Sequence, residues 1–166
     1  MEIKTGRQVI DIEIKALNLL KNYISKDFVK VVNLLLKNKG KIIVSGIGKS
    51  GHSASKIAST LSSVGSPSFY IHPSEANHGD LGMLENKDVV ILISNSGETS
   101  ELINLILYCK KLGISIISIT SEPNSTLSRE SNLTLLIPNT IEACPLELAP
   151  TSSTTPSRRK VGTNVV

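Results

Sequence analysis

The sequence predicts an α/β fold in which five parallel strands, covered on both faces, alternate with helices. Three observations carry that prediction. Five short runs, 41–45, 68–71, 88–93, 114–119 and 132–137, are rich in Ile, Leu and Val without a strict polar alternation, the pattern of strands buried on both sides. Segments with helical spacing separate most of these runs, as βα alternation requires. Polar loops follow several runs directly, beginning at Gly46, His72, Ser94 and Thr120. Right-handed crossovers would gather all of them on the carboxyl edge of one sheet, where α/β folds bind ligands.

The elements follow in order. Residues 7–38 read as two helices. Val9, Ile10, Ile14 and Leu17 mark the first, and Phe28, Val29, Val32, Leu35 and Leu36 the second. Ser25 or Asp27 is placed to cap the second helix and Gly40 to end it. After the strand at 41–45 come three glycines and a helix over 52–64, then a turn at Gly65-Ser66-Pro67. The 88–93 run is the clearest strand. Ser94-Asn95-Ser96-Gly97 forms a tight loop, and a helix over 99–112 stops at Gly113. A short helix from about 123 to 130 precedes the last strand.

With 166 residues, the chain has the length of one domain. Hydrophobic residues make up 40% and charged residues 19%, a globular balance that argues against disorder. No apolar run exceeds five residues, so no segment is long enough to span a bilayer as a helix. Met1 leads into Glu2 and mixed charges rather than a basic start and an apolar core, so a cytoplasmic protein is expected. Cys109 and Cys144 are the two cysteines, without disulfide-framework or metal-ligand spacing. The net charge is +4, and it falls to +1 without Arg158, Arg159 and Lys160. A basic tail of this kind is not the basic face of a nucleic-acid binder.

Four loops carry chemistry. Ser45 to His52 reads S-G-I-G-K-S-G-H, a strand–glycine–helix turn whose helix head suits an anion. Its G-x-G-x-x-G spacing matches a dinucleotide fold, but the acidic ribose ligand expected about 20 residues on is replaced by V-G-S-P-S. A P-loop fails too, because only Ile47 separates Gly46 from Gly48-Lys49. The bland alternative is a tight turn with a solvated Lys49. The second loop, S-N-S-G-E-T-S-E, offers the hydroxyls of Ser94, Ser96, Thr99 and Ser100 at one helix head. Together with main-chain N–H groups they make a phosphate cradle without Lys or Arg. Alternatively, Thr99 is a plain cap, and Glu98 and Glu101 merely complement the helix dipole.

In the third loop, I-H-P-S-E-A-N-H-G-D, His72 and His78 are acid/base candidates. Either could instead be a hydrogen-bonded surface residue. With Glu75 or Asp80 they could hold a metal, but no third ligand stands at fixed helical spacing. The fourth, Glu142 to Thr155, supplies Glu142 as a second carboxylate candidate beside Glu101. Cys144 has no His in its own loop and reads as an apolar filler.

In this order G-I-G-K-S-G-H, H-P-S-E-A-N-H-G-D-L-G-M, S-N-S-G-E-T-S-E and E-A-C-P-L-E-L-A-P-T-S-S-T-T resemble the sugar isomerase (SIS) domain of the D-arabinose-5-phosphate isomerases. The resemblance covers about residues 10–155. It implies a three-layer αβα sandwich on a five-stranded parallel sheet, with the SIS domain over 1–155 and a divergent basic tail over 156–166. It also implies interconversion of D-ribulose 5-phosphate and D-arabinose 5-phosphate through an enediol, with the product feeding the lipopolysaccharide sugar Kdo. Homo-oligomers, usually tetramers with sites shared between subunits, and no cofactor are implied as well.

Carried over motif by motif, Lys49, Glu101, Glu142 and His78 are the implied catalytic set. Ser50, Gly65, Ser66, His72, His78, Ser94, Ser96, Thr99 and Ser100 are the implied substrate contacts. Zinc at His72 is implied as an inhibitor rather than a cofactor. A carboxylate would serve as base if burial raises its pKa, and Lys49 would steady the oxyanion. The same fold without catalysis, as a phosphosugar-sensing module, is the alternative reading. Beyond Thr155 the resemblance ends. The family's following helix and its H-P-G-G segment are replaced by P-S-R-R-K-V-G-T-N-V-V, so a truncated or frameshifted product is expected. Losing that later His would cost about 10²–10⁴-fold in rate. Phosphosugar binding is therefore expected ahead of turnover.

Overall fold

A computed structural model describes residues 2–139, of which 2–23 and 137–139 fall in one unit and 24–136 in another. In the first unit, α1 (Glu2–Lys21) is one uninterrupted helix with Ala16 buried. All the elements below belong to the second.

Helix α2 (Lys26–Lys37) begins where Ser25 accepts the Asp27 N–H at 3.2 Å, which satisfies one of the donors a helix leaves open at its start. Asn38, not Gly40, ends it. Five strands follow, β1 (Ile42–Gly46), β2 (Ser68–Ile71), β3 (Val89–Ile93), β4 (Ser115–Thr120) and β5 (Leu133–Leu136). All neighbours pair parallel, in the order β2-β1-β3-β4-β5. Between them lie α3 (Gly48–Ser63), α4 (Pro73–Ala76), α5 (Ile103–Leu112) and α6 (Thr126–Glu130), with 3-10 turns at Asp80–Met83 and Ser100–Leu102.

Alternation of side chains along each strand divides the core in two. Ile42, Val44, Val89, Ile91, Ile93 and Ile117 pack with Val31 of α2 and Ala54 and Ala58 of α3. Ile43, Val90, Leu92 and Ile116 pack on the opposite face with Ala76 of α4, Leu105, Ile106 and Cys109 of α5, and Leu127 of α6. The result is the expected αβα sandwich. Ile43, Val44, Val90 and Leu92 are fully buried, and each such side chain contributes about 1.5–3 kcal/mol.

Two helix starts differ from expectation. Helix α3 begins at Gly48 rather than near residue 52, so Lys49 and Ser50 sit in its first turn. The segment expected to be one helix over 99–112 is a 3-10 turn followed by α5, because the Leu102 N–H reaches back only three residues to the Thr99 carbonyl (3.2 Å).

The strand order fixes where a ligand belongs. From β1 the chain crosses to β2 on one side, and from β3 it crosses to β4 on the other. At that reversal the loops leaving β1 and β3 part and leave a crevice at the carboxyl edge. Gly46 pairs in register with Ile93 at this end, so the glycine turn and the serine loop flank the crevice.

Candidate functional site

Each wall of the crevice is shaped by its own sequence. On the β1 side a Cβ at Gly51 would lie 2.8 Å from the Gly46 carbonyl oxygen and 2.9 Å from the Tyr70 hydroxyl. Only glycine lets α3 close so tightly onto the strand end. The Tyr70 hydroxyl donates to the Gly46 carbonyl at 2.9 Å and braces the turn from β2; its burial pushes the Tyr70 pKa up. No side chain caps α3, whose first N–H groups point out of the helix head. Lys49, exposed in that first turn, makes no ion pair among the described residues.

On the β3 side the hydroxyls divide into two kinds. Ser94 is buried. Its Oγ accepts the Gly97 N–H at 3.0 Å and lies 2.7 Å from Thr99 Oγ1. Ser94 thus closes the loop from inside, unlike Ser96, so the four hydroxyls at this helix head are not held alike. Ser96 is exposed, and its Oγ accepts the Glu98 N–H at 3.3 Å, leaving its own O–H to donate outward. Thr99 is half-buried and makes no side-chain cap bond, so it is not the plain helix cap considered above. Either hydroxyl can donate in the Ser94–Thr99 pair, and where Ser94 donates the Thr99 O–H is left free. The N–H groups of Gly97 and Glu98 are taken by these serines, whereas those of Ser96 and Thr99 make no hydrogen bond among the described residues. Up to two hydroxyl groups and two main-chain donors remain for an anion.

A cleft of about 50 Å³ adjoins this loop on its other side. Leu102, Ile103, Ile106 and Leu127 line it together with Gly97, Glu98, Thr99 and Thr126.

Glu101 and His72 meet across α4 and the 3-10 turn, which pack together. The Glu101 carboxyl is held below its usual value by its own main-chain N–H and by the Ser100 hydroxyl (3.0 Å), with the His72 charge adding. Glu101 is exposed, so the burial that would raise a general base's pKa is not supplied by the described residues. Ser100 is engaged with Glu101 rather than with the anion site. His72 Nδ1 accepts the Ser74 N–H at 3.3 Å and caps α4. In the neutral ring that leaves the proton on Nε2, available as a donor. Among the described residues no three His, Cys, Asp or Glu side chains gather as a metal site. A zinc ion at His72 therefore does not fit this set, and no step runs through one.

His78 follows α4 and is exposed, and Ser50 stands in the first turn of α3. Both belong to carboxyl-edge loops. Gly65 and Ser66 do not: they precede β2, at the amino edge of the sheet, and within this chain are not brought to the crevice. Glu142 and Cys144 lie outside the described residues, as does the boundary expected at residue 155. Cys109 is buried and its thiol is pushed up to about 12 by that burial, so it is no nucleophile. Residues not singled out in the sequence also shape the site: Tyr70 on one wall, and Thr120, Ser121 and Ser125 behind the serine loop. The S/T-rich run that begins at Thr120, on the same edge, is the signal that could have found the last three.

Known proteins share this sequence and architecture. The SIS domain family matches residues 35–157. The chain is 49% identical over 153 residues to arabinose 5-phosphate isomerase KdsD from Pseudomonas aeruginosa, covering 92% of this chain and 47% of that protein. It is likewise 49% identical over 156 residues to the Francisella tularensis protein of the same name, covering 92% of this chain and 48% of that one. The chain thus spans about half the length of the curated relatives it matches. Among solved structures, an E. coli CFT073 protein in complex with arabinose 5-phosphate superposes with a TM-score of 0.84 at 41% identity, covering 92% of this chain and 81% of that one. Strand order, serine loop and sequence match together show that the chain belongs to the SIS domain family.

Proposed function

We propose that this chain is the phosphosugar-isomerase domain of an arabinose-5-phosphate isomerase, moving a carbonyl between C1 and C2 of a pentose 5-phosphate. The observation that carries the reading is the serine loop at the β1/β3 crevice, with the Ser96 hydroxyl exposed and the Ser96 and Thr99 main-chain N–H groups free of partners among the described residues. The likeness to two arabinose 5-phosphate isomerases and to a structure holding arabinose 5-phosphate supports the choice of sugar.

In this reading the phosphate sits on the Ser96 and Thr99 hydroxyls and main-chain N–H groups, fixing the carbon chain along the crevice. A base removes the proton from the carbon beside the carbonyl, and the carbonyl oxygen gains a proton to give the enediol. Returning the proton to the neighbouring carbon, while the other enediol hydroxyl gives up its proton and becomes the new carbonyl, completes the shift. Lys49 faces the developing oxyanion from the head of α3. The His72 Nε2–H donates to a sugar oxygen, and His78 contacts substrate. Glu101 and Glu142 are the two carboxylates for the proton transfer. Glu101 serves as base only when bound substrate strips water from it and raises its pKa.

A homo-oligomer belongs to the same reading. Val29, Val32 and Leu36 form an apolar stripe at helical spacing on the outer side of α2, with Leu36 78% exposed. Gly65 and Ser66 would line a site only in a neighbouring copy. A cytoplasmic location and supply of a lipopolysaccharide sugar are part of the proposal as well.

Incubation of the purified chain with D-arabinose 5-phosphate should yield D-ribulose 5-phosphate. Binding without turnover would instead favour the non-catalytic sensing module, a reading that the exposed, acid-shifted Glu101 supports. Absence of both would remove the proposal.

A further inference from the structure

Glu98 lies inside the serine loop, yet its carboxylate does not face the crevice. Its Oε1 accepts the main-chain N–H of Thr126, the first residue of α6, at 2.7 Å across 28 positions of sequence. Beside it the Leu127 N–H donates to the Gly97 carbonyl at 3.0 Å. Three more donors converge on the Asn95 carbonyl: Thr120 Oγ1 (3.0 Å), Ser121 Oγ (2.9 Å) and the Ser121 N–H (3.1 Å). The contact is close. Gly97 sits at φ +65°, and a Cβ there would run into the Ser125 side chain. Ser125 Oγ in turn accepts the Ser128 N–H at 3.2 Å, so the first three N–H groups of α6 are all satisfied, one of them by Glu98. The carboxyl is held below its usual value, chiefly through the Thr126 main-chain N–H. It is therefore an anion, pinned behind a loop whose front is to hold another anion.

We propose that Glu98 is a positioning residue for the phosphate site: by holding the Thr126 N–H it ties the serine loop to α6, fixing the position of the Ser96 and Thr99 donors and keeping its own negative charge off the phosphate. The inference rests on the phosphosugar reading above. It adds that affinity depends on a bond made away from the ligand.

One substitution removes the Thr126 side of that tether, both its N–H and the hydroxyl that bonds Glu98 and accepts from Arg129 Nη2. Thr126 is the first helical residue of α6, the position where proline is best tolerated, and Ser125 before it is extended at φ −69° and ψ 161°. Thr126→Pro therefore deletes the N–H that Glu98 holds while leaving the helix able to form. Affinity for D-arabinose 5-phosphate and for inorganic phosphate is measured by calorimetry, with thermal unfolding alongside. Glu98→Ala and Thr126→Pro should each weaken binding by about tenfold, the value of one hydrogen bond to a charged group. The double variant should be no weaker than either single one, because both remove the same bond. Glu98→Gln, which retains an acceptor, should recover most of the affinity, and the thermal midpoints of the Ala and Pro variants should fall by only about a few degrees. Full affinity in either single variant, or additive losses in the double, would overturn the tether. If the parent binds inorganic phosphate but not the sugar phosphate, the substrate reading fails and the tether is read on phosphate alone. Binding of neither overturns both.

Discussion

The loop after β3 and the loop after β2 reach the same edge of the sheet, but they are held very differently. Ser94 to Glu98 is bonded from inside by Ser94, from behind by Thr120 and Ser121, and from the side by α6. Among the described residues His72 to Asp80 has one side-chain hydrogen bond, the His72 cap on α4, and both its histidines are exposed. Lys49 and Glu101 are exposed in the same way. The part that would grip phosphate is therefore preorganised, whereas the part that would move protons is open to water. A charge acts strongly only where water is excluded. The contrast implies that the proton-moving groups gain their effect only when substrate covers them.

Substitutions on the two sides should separate along this line. Lys49→Ala, on the open side, should lower kcat by about 10²–10³-fold with an unchanged melting temperature, because the side chain is exposed and unpaired. An equal loss in binding would blur the division. Gly97→Ala, on the rigid side, should cost about 3 kcal/mol of stability, since it combines a left-handed backbone with a collision against Ser125. Thermal unfolding measures it. Ser94→Ala should also destabilise, by about 1–3 kcal/mol, by leaving the buried Gly97 N–H without its acceptor. Ser96→Ala removes an outward donor instead. It should weaken phosphate binding about tenfold without moving the melting temperature; a large shift in that temperature would place Ser96 with Ser94.

The smallest effect lies away from both loops. Lys41 and Lys87 hold the Glu85 carboxyl down to about 2, against an ordinary 4.5. A depressed carboxyl stabilises the fold fully above its unfolded value and loses that contribution as pH falls through its folded value. The melting temperature should therefore drop between about pH 4.5 and 2, and Glu85→Gln should flatten that portion of the curve.

Much of this was legible in the residues alone, for physical reasons. Parallel strands covered on both faces must be apolar throughout, so all five were readable to within a residue or two at each end. The start of α3 was not, because Gly48 is a poor helix former and nothing local marks it as the first residue of a helix. The split at Leu102 was hidden as well, since a 3-10 turn and an α-helix share much the same apolar spacing over so short a stretch.

At the site, residue types pointed to the right loops but not to what each side chain holds. Ser94 could have been assigned inward from parity alone, because it continues the Val90 and Leu92 series beneath α5. Gly65 and Ser66 were assigned by resemblance, although a turn that precedes a parallel strand must lie at the opposite edge. Glu98 read as a mere complement to a helix dipole. Its partner is 28 residues away, a distance no local pattern spans.

Far from both loops, at the amino edge of the sheet, stands Asp88. Its side chain is fully buried just before β3, where one oxygen accepts the Lys41 N–H and the other the Glu85 N–H, both at 2.8 Å. Through Lys41 this single acid joins the foot of β1 to the foot of β3. A one-residue slip between those strands would invert which side chains face each layer, and it would also carry Gly46 out of step with Ile93 at the far end. The spacing of the two crevice walls is thus gauged from the other end of the sheet, so that losing Asp88 would mis-set a binding cleft it never touches.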